Sequence, residues 1–127
     1  MKPELKFLRC RHCGNIITFL EHSGVIPVCC GEQMTELTAN TEDAATEKHV
    51  PEVTVDGNKV TAVIGSVIHP MVEEHYIQLI ALETNNGLHV RFLEAGQEPK
   101  AVFELNDEEP VTVYEYCNLH GLWKNEL

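Results

Sequence analysis

The chain has 127 residues, 43% of them hydrophobic, and a formal net charge of −11. That length is one ordinary domain, so a second module must be small and held together by metal or disulfide. The hydrophobic fraction excludes a disordered chain, and the negative charge argues against nonspecific binding to nucleic acid or to an anionic membrane, whose fields would repel it.

Residues 1–9 scatter charges and hold no apolar core of signal-peptide length, and no later stretch is apolar for long enough to span a bilayer, which predicts a cytoplasmic protein. In that setting the five cysteines read as metal ligands or redox thiols, because the cytosol keeps thiols reduced. Their odd number also leaves one unpaired in any full disulfide scheme.

The first module, residues 1–37, holds four of the five cysteines, in Cys10-Arg11-His12-Cys13 and Cys29-Cys30-Gly31. Cys-x2-Cys puts two thiolates on one tight turn, and a second pair further along can close a tetrahedral four-sulfur site. Cys29 and Cys30 are adjacent and cannot repeat the first chelating loop, so a strained, opened S–metal–S angle is expected there. Tetrahedral sulfur sites take zinc or iron, and spacing alone leaves both open. His12 and His22 are read as surface residues, since four cysteines already complete the site.

Residues 38–46, Thr-Ala-Asn-Thr-Glu-Asp-Ala-Ala-Thr, are polar, lack aromatics and keep neither period, and are read as a linker to a second module over residues 47–127. Strand-length apolar segments follow. Val53-Thr54-Val55 and residues 59–64 flank Asp56-Gly57-Asn58, a hairpin signal. Residues 76–82 and 88–93 flank Asn85-Asn86-Gly87, a turn rich in residues that tolerate positive φ. Residues 101–105 and 111–116 complete the set. Short β-branched runs with no convincing amphipathic helix predict a mostly β protein, an antiparallel sandwich or barrel, with strand order left open.

This second module carries five of the seven histidines. His49, His69, His75 and His120 each sit at or near a predicted strand end. Cys117-x2-His120 before Gly121 resembles half of a transition-metal site, a thiolate and an imidazole on a turn that glycine eases, and the other three histidines can complete it. His89 lies within a predicted strand and is assigned no role.

Taken in order, Cys-x2-Cys, Cys-Cys, Glu-Lys-His-Val-Pro at 47–51, His-Pro-Met at 69–71, Glu-His-Tyr-Ile at 74–77 and Cys-Asn-x-His-Gly at 117–121 resemble the desulfoferrodoxin family of two-iron superoxide reductases. The resemblance spans essentially the whole chain. Each string alone is weak; their shared order and spacing are specific.

The resemblance implies a desulforedoxin-like N-terminal domain with iron on Cys10, Cys13, Cys29 and Cys30, which favours iron over zinc. It also implies an immunoglobulin-like antiparallel β-sandwich whose iron takes His49, His69, His75 and His120 in a plane and Cys117 axially, with the sixth position open in the ferrous state. Lys48 is then expected beside the open face, steering superoxide and helping to deliver a proton, and Glu47 is expected to occupy the sixth position of the ferric iron. An electron donor such as rubredoxin or a similar small redox protein, and a homodimer, are implied as partners. The competing readings are an electron-transfer protein without catalytic turnover and a zinc-stabilised interaction module.

Overall fold

In a computed structural model of the chain, the described residues are 5–41, 46–65 and 69–127, without the side chain of Glu47. The chain forms two compact units, residues 1–38 and 39–127.

The first unit is built from five short strands: β1 (Phe7–Arg9), β2 (Ile16–Thr18), β3 (Val28–Cys29), β4 (Glu32–Gln33) and β5 (Thr35–Glu36). β1 lies between β2 and β5 in an antiparallel sheet, and β3 pairs with β4 in a two-stranded one. Two turns shape this unit. After β1 the chain reverses through residues 11–14, where the Gly14 N–H donates to the Cys10 carbonyl (3.0 Å) and Gly14 takes φ +83°. Between β3 and β4 only Cys30 and Gly31 turn the chain, both at positive φ (53° and 77°), as a type I′ hairpin requires. Adjacent cysteines are therefore one strand-end residue and one turn residue. Leu8, Cys10 and Met34 form a small core, with Ile17, Phe19, Ile26 and Cys29 packed against it.

The second unit opens with a single helical turn, α1 (Thr46–His49), and continues as β6 (Pro51–Asp56), β7 (Lys59–Ile64), β8 (Ile77–Thr84), β9 (Leu88–Phe92), β10 (Lys100–Glu104), β11 (Pro110–Cys117) and β12 (Gly121–Glu126). Two antiparallel sheets, ordered β10-β7-β6 and β12-β11-β8-β9, make a sandwich of the immunoglobulin-like kind. Both predicted hairpins form. β6 and β7 pair from Pro51↔Ile64 to Asp56↔Lys59 around Gly57 at φ +61°, and β8 and β9 meet across residues 85–87.

Alternation along β7 turns Val60, Ala62 and Ile64 inward, and along β10 Ala101 and Phe103, against Ile80, Leu82 and Val113 of the facing sheet. β12 was not predicted: it pairs with β11 from Thr112↔Glu126 to Cys117↔Gly121, with Gly121 at φ +79° closing the three-residue turn. Asn40, within the stretch read as a linker, is tied to β12 by its N–H to the Leu122 carbonyl (3.0 Å) and its Oδ1, which accepts from the Lys124 N–H (2.8 Å). Residues 42–45 of that stretch lie outside the described residues, and its last residue, Thr46, opens α1.

The registers Pro51↔Ile64, Cys117↔Ile77 and Cys117↔Gly121 show which strand ends meet. They gather the start of β6, the end of β7, the start of β8, the end of β11 and the start of β12. Among the described residues, no helix is long and apolar enough to cross a membrane.

Candidate metal centres

His49 ends α1, His69 follows β7, His75 precedes β8, Cys117 ends β11 and His120 sits in the β11–β12 turn. One potential donor atom from each lies within 4.8 Å of every other. The rings form a cycle: His49–His69, His69–His75, His75–His120 and His120–His49 have centroids 4.6 to 4.9 Å apart and planes near perpendicular. His49 and His75 stand across it at 6.4 Å.

The nitrogens that face inward can be named. His69 Nδ1 lies 2.6 Å from the Pro70 carbonyl oxygen and donates to it, which leaves His69 Nε2 as a lone-pair donor, 3.1 Å from His49 Nε2. His120 uses Nδ1, also 3.1 Å from His49 Nε2. His75 Nε2 is buried with no hydrogen-bond partner among the described residues. Metal–imidazole bonds of about 2.1 Å in a square place neighbouring nitrogens about 3.0 Å apart, so this ring fits one ion.

In the first unit the sulfurs of Cys10, Cys13, Cys29 and Cys30 likewise lie within 4.8 Å of one another. Cys13 Sγ and Cys29 Sγ are 3.6 Å apart, close to the edge of a tetrahedron with metal–sulfur bonds of about 2.3 Å. The N–H groups of His12 and Cys13 reach Cys10 Sγ at 3.4 and 3.5 Å, and Asn15 Nδ2 donates to Cys29 Sγ at 3.7 Å. The Cys13 and His12 N–H groups hold the Cys10 thiol down to about 6, while neighbouring sulfurs, Cys13 first, push Cys30 up to about 12. Four thiolates this close repel one another, and a cation is what allows all of them to be charged at once.

Residues 41–126 match the desulfoferrodoxin family and residues 3–37 its N-terminal domain. The chain belongs to the desulfoferrodoxin family. It is 44% identical over 126 residues to a desulfoferrodoxin of Syntrophotalea carbinolica, and 44% identical over 128 residues to one of Nitratidesulfovibrio vulgaris, each alignment covering 99% of both chains. Among solved structures it is similar to the superoxide reductase of Treponema pallidum, with a TM-score of 0.82 and 35% identity over 98% of this chain and 100% of that one.

Desulfoferrodoxin chemistry at the second donor set rests on its protonation states. Burial, reinforced by the other histidines, lowers His69 to about 4, against the hydrogen bond to Pro70. Burial also lowers His75, and the positive charges of His120 and Lys48 add to it. His69 and His75 are thus held in the neutral form that ligates. Cys117 is fully buried; burial raises its pKa and the charge of Glu115 adds to this, while the N–H groups of Leu119 and His120 work against it. Lys48 is exposed on α1, next in sequence to His49. The side chain of Glu47 lies outside the described residues.

The rings of the remaining histidines belong to neither donor set. His12 Nε2 bonds Glu32 Oε2 (2.8 Å), His22 stacks on Phe19 (4.0 Å) and His89 Nε2 bonds Glu108 Oε2 (2.9 Å). Sequence reasoning missed Trp123, a neighbour of the histidine ring, and Glu115, two residues before Cys117 in β11. Trp123 stacks on His49 at 5.0 Å and donates from Nε1 to the His120 carbonyl (2.9 Å). Its signal was available: it is the only tryptophan and lies three residues after His120. Glu115 is buried with neither carboxyl oxygen hydrogen-bonded among the described residues, and burial raises it well above the usual carboxylate range. No local pattern marks a glutamate whose cost is set by the sheets packed over it.

Proposed function

We propose that this protein is a superoxide reductase, taking one electron and two protons per superoxide and releasing hydrogen peroxide. Iron would be held by Cys10, Cys13, Cys29 and Cys30 in the first unit, and by His49, His69, His75, His120 and Cys117 in the second. The observation that carries the reading is the ring of four inward-facing imidazoles gathered with a buried thiol, five donors able to share one ion. When bound there, ferrous iron would supply the electron and an open position for a small anion.

The chain's own residues do the rest. Neutral imidazoles add no negative charge, so the site keeps a positive field that draws an anion. Cys117, as a thiolate, would donate electron density to a bound ion and favour its oxidised state. Lys48 attracts superoxide to the ring and holds at Nζ a proton that it can pass on through water. For Glu47, a carboxylate suited to the harder ferric ion, support comes from the Glu-Lys-His-Val-Pro motif alone. Rubredoxin or a similar small redox protein as donor, a homodimeric assembly and a cytoplasmic location belong to the same reading, supported by the family alone.

The test supplies superoxide to protein of measured iron content, reduced beforehand, with and without continuing reductant, and follows peroxide, oxygen and the oxidation state of the second iron. A reductase makes peroxide without oxygen and stops when its electrons are spent. Sustained turnover with oxygen release and no donor identifies a dismutase and overturns the assignment.

A further inference from the structure

Three of the five donors in the second unit lie outside helix and strand, and His75 is one of them. It lies in a tight loop closed by a single bridge, in which Val72 and His75 exchange N–H···O bonds of 3.1 and 3.0 Å. The β8–β11 ladder reaches no further than Ile77↔Cys117, and a register shift between Tyr116 and Cys117 disturbs its last pairing. Regular sheet pairing therefore stops short of the residue that must hold its ring in place.

Asn118 continues the pairing across that gap. Its N–H donates to the Tyr76 carbonyl (3.2 Å), its Oδ1 accepts from the Tyr76 N–H (2.9 Å) and its Nδ2 donates to the Glu74 carbonyl (3.1 Å). The side-chain amide thus acts as an extra peptide group, one acceptor and one donor, gripping the backbone on both sides of His75. Glutamine would be one methylene too long, and aspartate at neutral pH would offer an acceptor where the Glu74 carbonyl needs a donor.

We propose that Asn118 is a positioning residue for the second metal site: its side-chain amide locks the His75 loop to the Cys117–His120 turn, so that His75 meets the ion together with the other four donors. The proposal rests on the metal reading above. Groups that orient metal ligands without touching the metal typically change affinity by about 10- to 100-fold when removed.

The experiment uses the iron-loaded full chain and compares Asn118→Leu and Asn118→Asp with wild type. Chelator-driven iron release is followed at each site's own visible absorption, so the four-cysteine site is an internal control. Release from the histidine site should accelerate about 10- to 100-fold in Asn118→Leu and by less in Asn118→Asp, which keeps the Tyr76 bond, with an altered ferric spectrum at that site only. Should Asn118→Leu fail to fold, Asn118→Asp decides, combined with His75→Gln: a residue acting through His75 adds nothing once the imidazole is gone. Wild-type spectra and release in the variants, or effects that multiply in the double variant, would overturn the role of Asn118 alone. A wild-type chain that binds no iron at the four histidines would overturn the metal reading and this role with it.

Discussion

In the first unit the four candidate donors sit on two turns beside a three-residue core, and the sulfurs of Cys13 and Cys30 belong to exposed residues; in the second, five donors come from four segments, and His49, His69 and Cys117 are buried against a full sandwich. Charge divides in the same way. The first unit balances four basic with four acidic side chains, so the whole net charge of −11 resides in the second, which carries five basic and sixteen acidic ones. One unit is organised by its metal, whereas the other is a fold that offers a metal a place. A chain of under about 40 residues seldom buries enough surface to fold without such a staple, while the sandwich has its own core.

The largest expected effect separates the two units outright. Removing metal, or replacing Cys13 with serine, should unfold the first unit, since a structural metal contributes on the order of 10 kcal/mol. Amide-exchange protection should vanish for β1–β5 and persist for β6–β12. In iron-loaded Cys13→Ser the reaction of the second site with superoxide should be unchanged, because the donor sets share no residue. Protection of β1–β5 without metal, or loss of that reaction with the second iron still bound, would break the comparison.

A smaller effect tests how an anion reaches a site in a strongly negative unit. Lys48→Ala should slow the second-order reaction with superoxide on the order of tenfold at low ionic strength and flatten its salt dependence, because steering by local charge is screened by salt. Stopped-flow rates across a salt series check this. An unchanged low-salt rate would make Lys48 an ordinary surface lysine.

The smallest effect concerns the empty ligand ring as a pH sensor. His69 takes its proton near 4 in the fold but near 6.5 when unfolded. With its folded value depressed, the unfolded chain binds more protons between those limits. Stability is therefore full above about 6.5, falls as pH drops towards 4 and then levels. Glu115 acts in the opposite sense: its raised folded value makes acidification above 4.5 stabilising. The metal-free chain should accordingly be studied as Glu115→Gln, with urea midpoints read from Trp123 fluorescence. The midpoint should fall between pH 6.5 and 4 and fall less in His69→Gln; equal slopes would show that burial of His69 does not govern the response.

Residue type and spacing carried the candidate donors, because a metal site demands particular side chains whatever surrounds them. The motifs that drew attention to Cys10, Cys13, Cys29, Cys30, His49, His69, His75, Cys117 and His120 are the residues the structure gathers into two clusters. Asp56-Gly57-Asn58 and Asn85-Asn86-Gly87 marked both hairpins for a similarly local reason, since positive φ at a turn selects few residues. Other features could arise only in three dimensions. β11 is central in its sheet and buried on both faces from Thr112 to Cys117, so its sequence shows no alternation to read. β12, a strand of mixed polarity, was invisible until β11 paired with it. The hydrogen bonds of Asn118 to Glu74 and Tyr76, more than forty residues earlier, exist only because β8 and β11 are neighbours. Spacing along the chain states which side chains a metal can use, but bringing five of them to one point depends on strand order and register, which long-range packing decides.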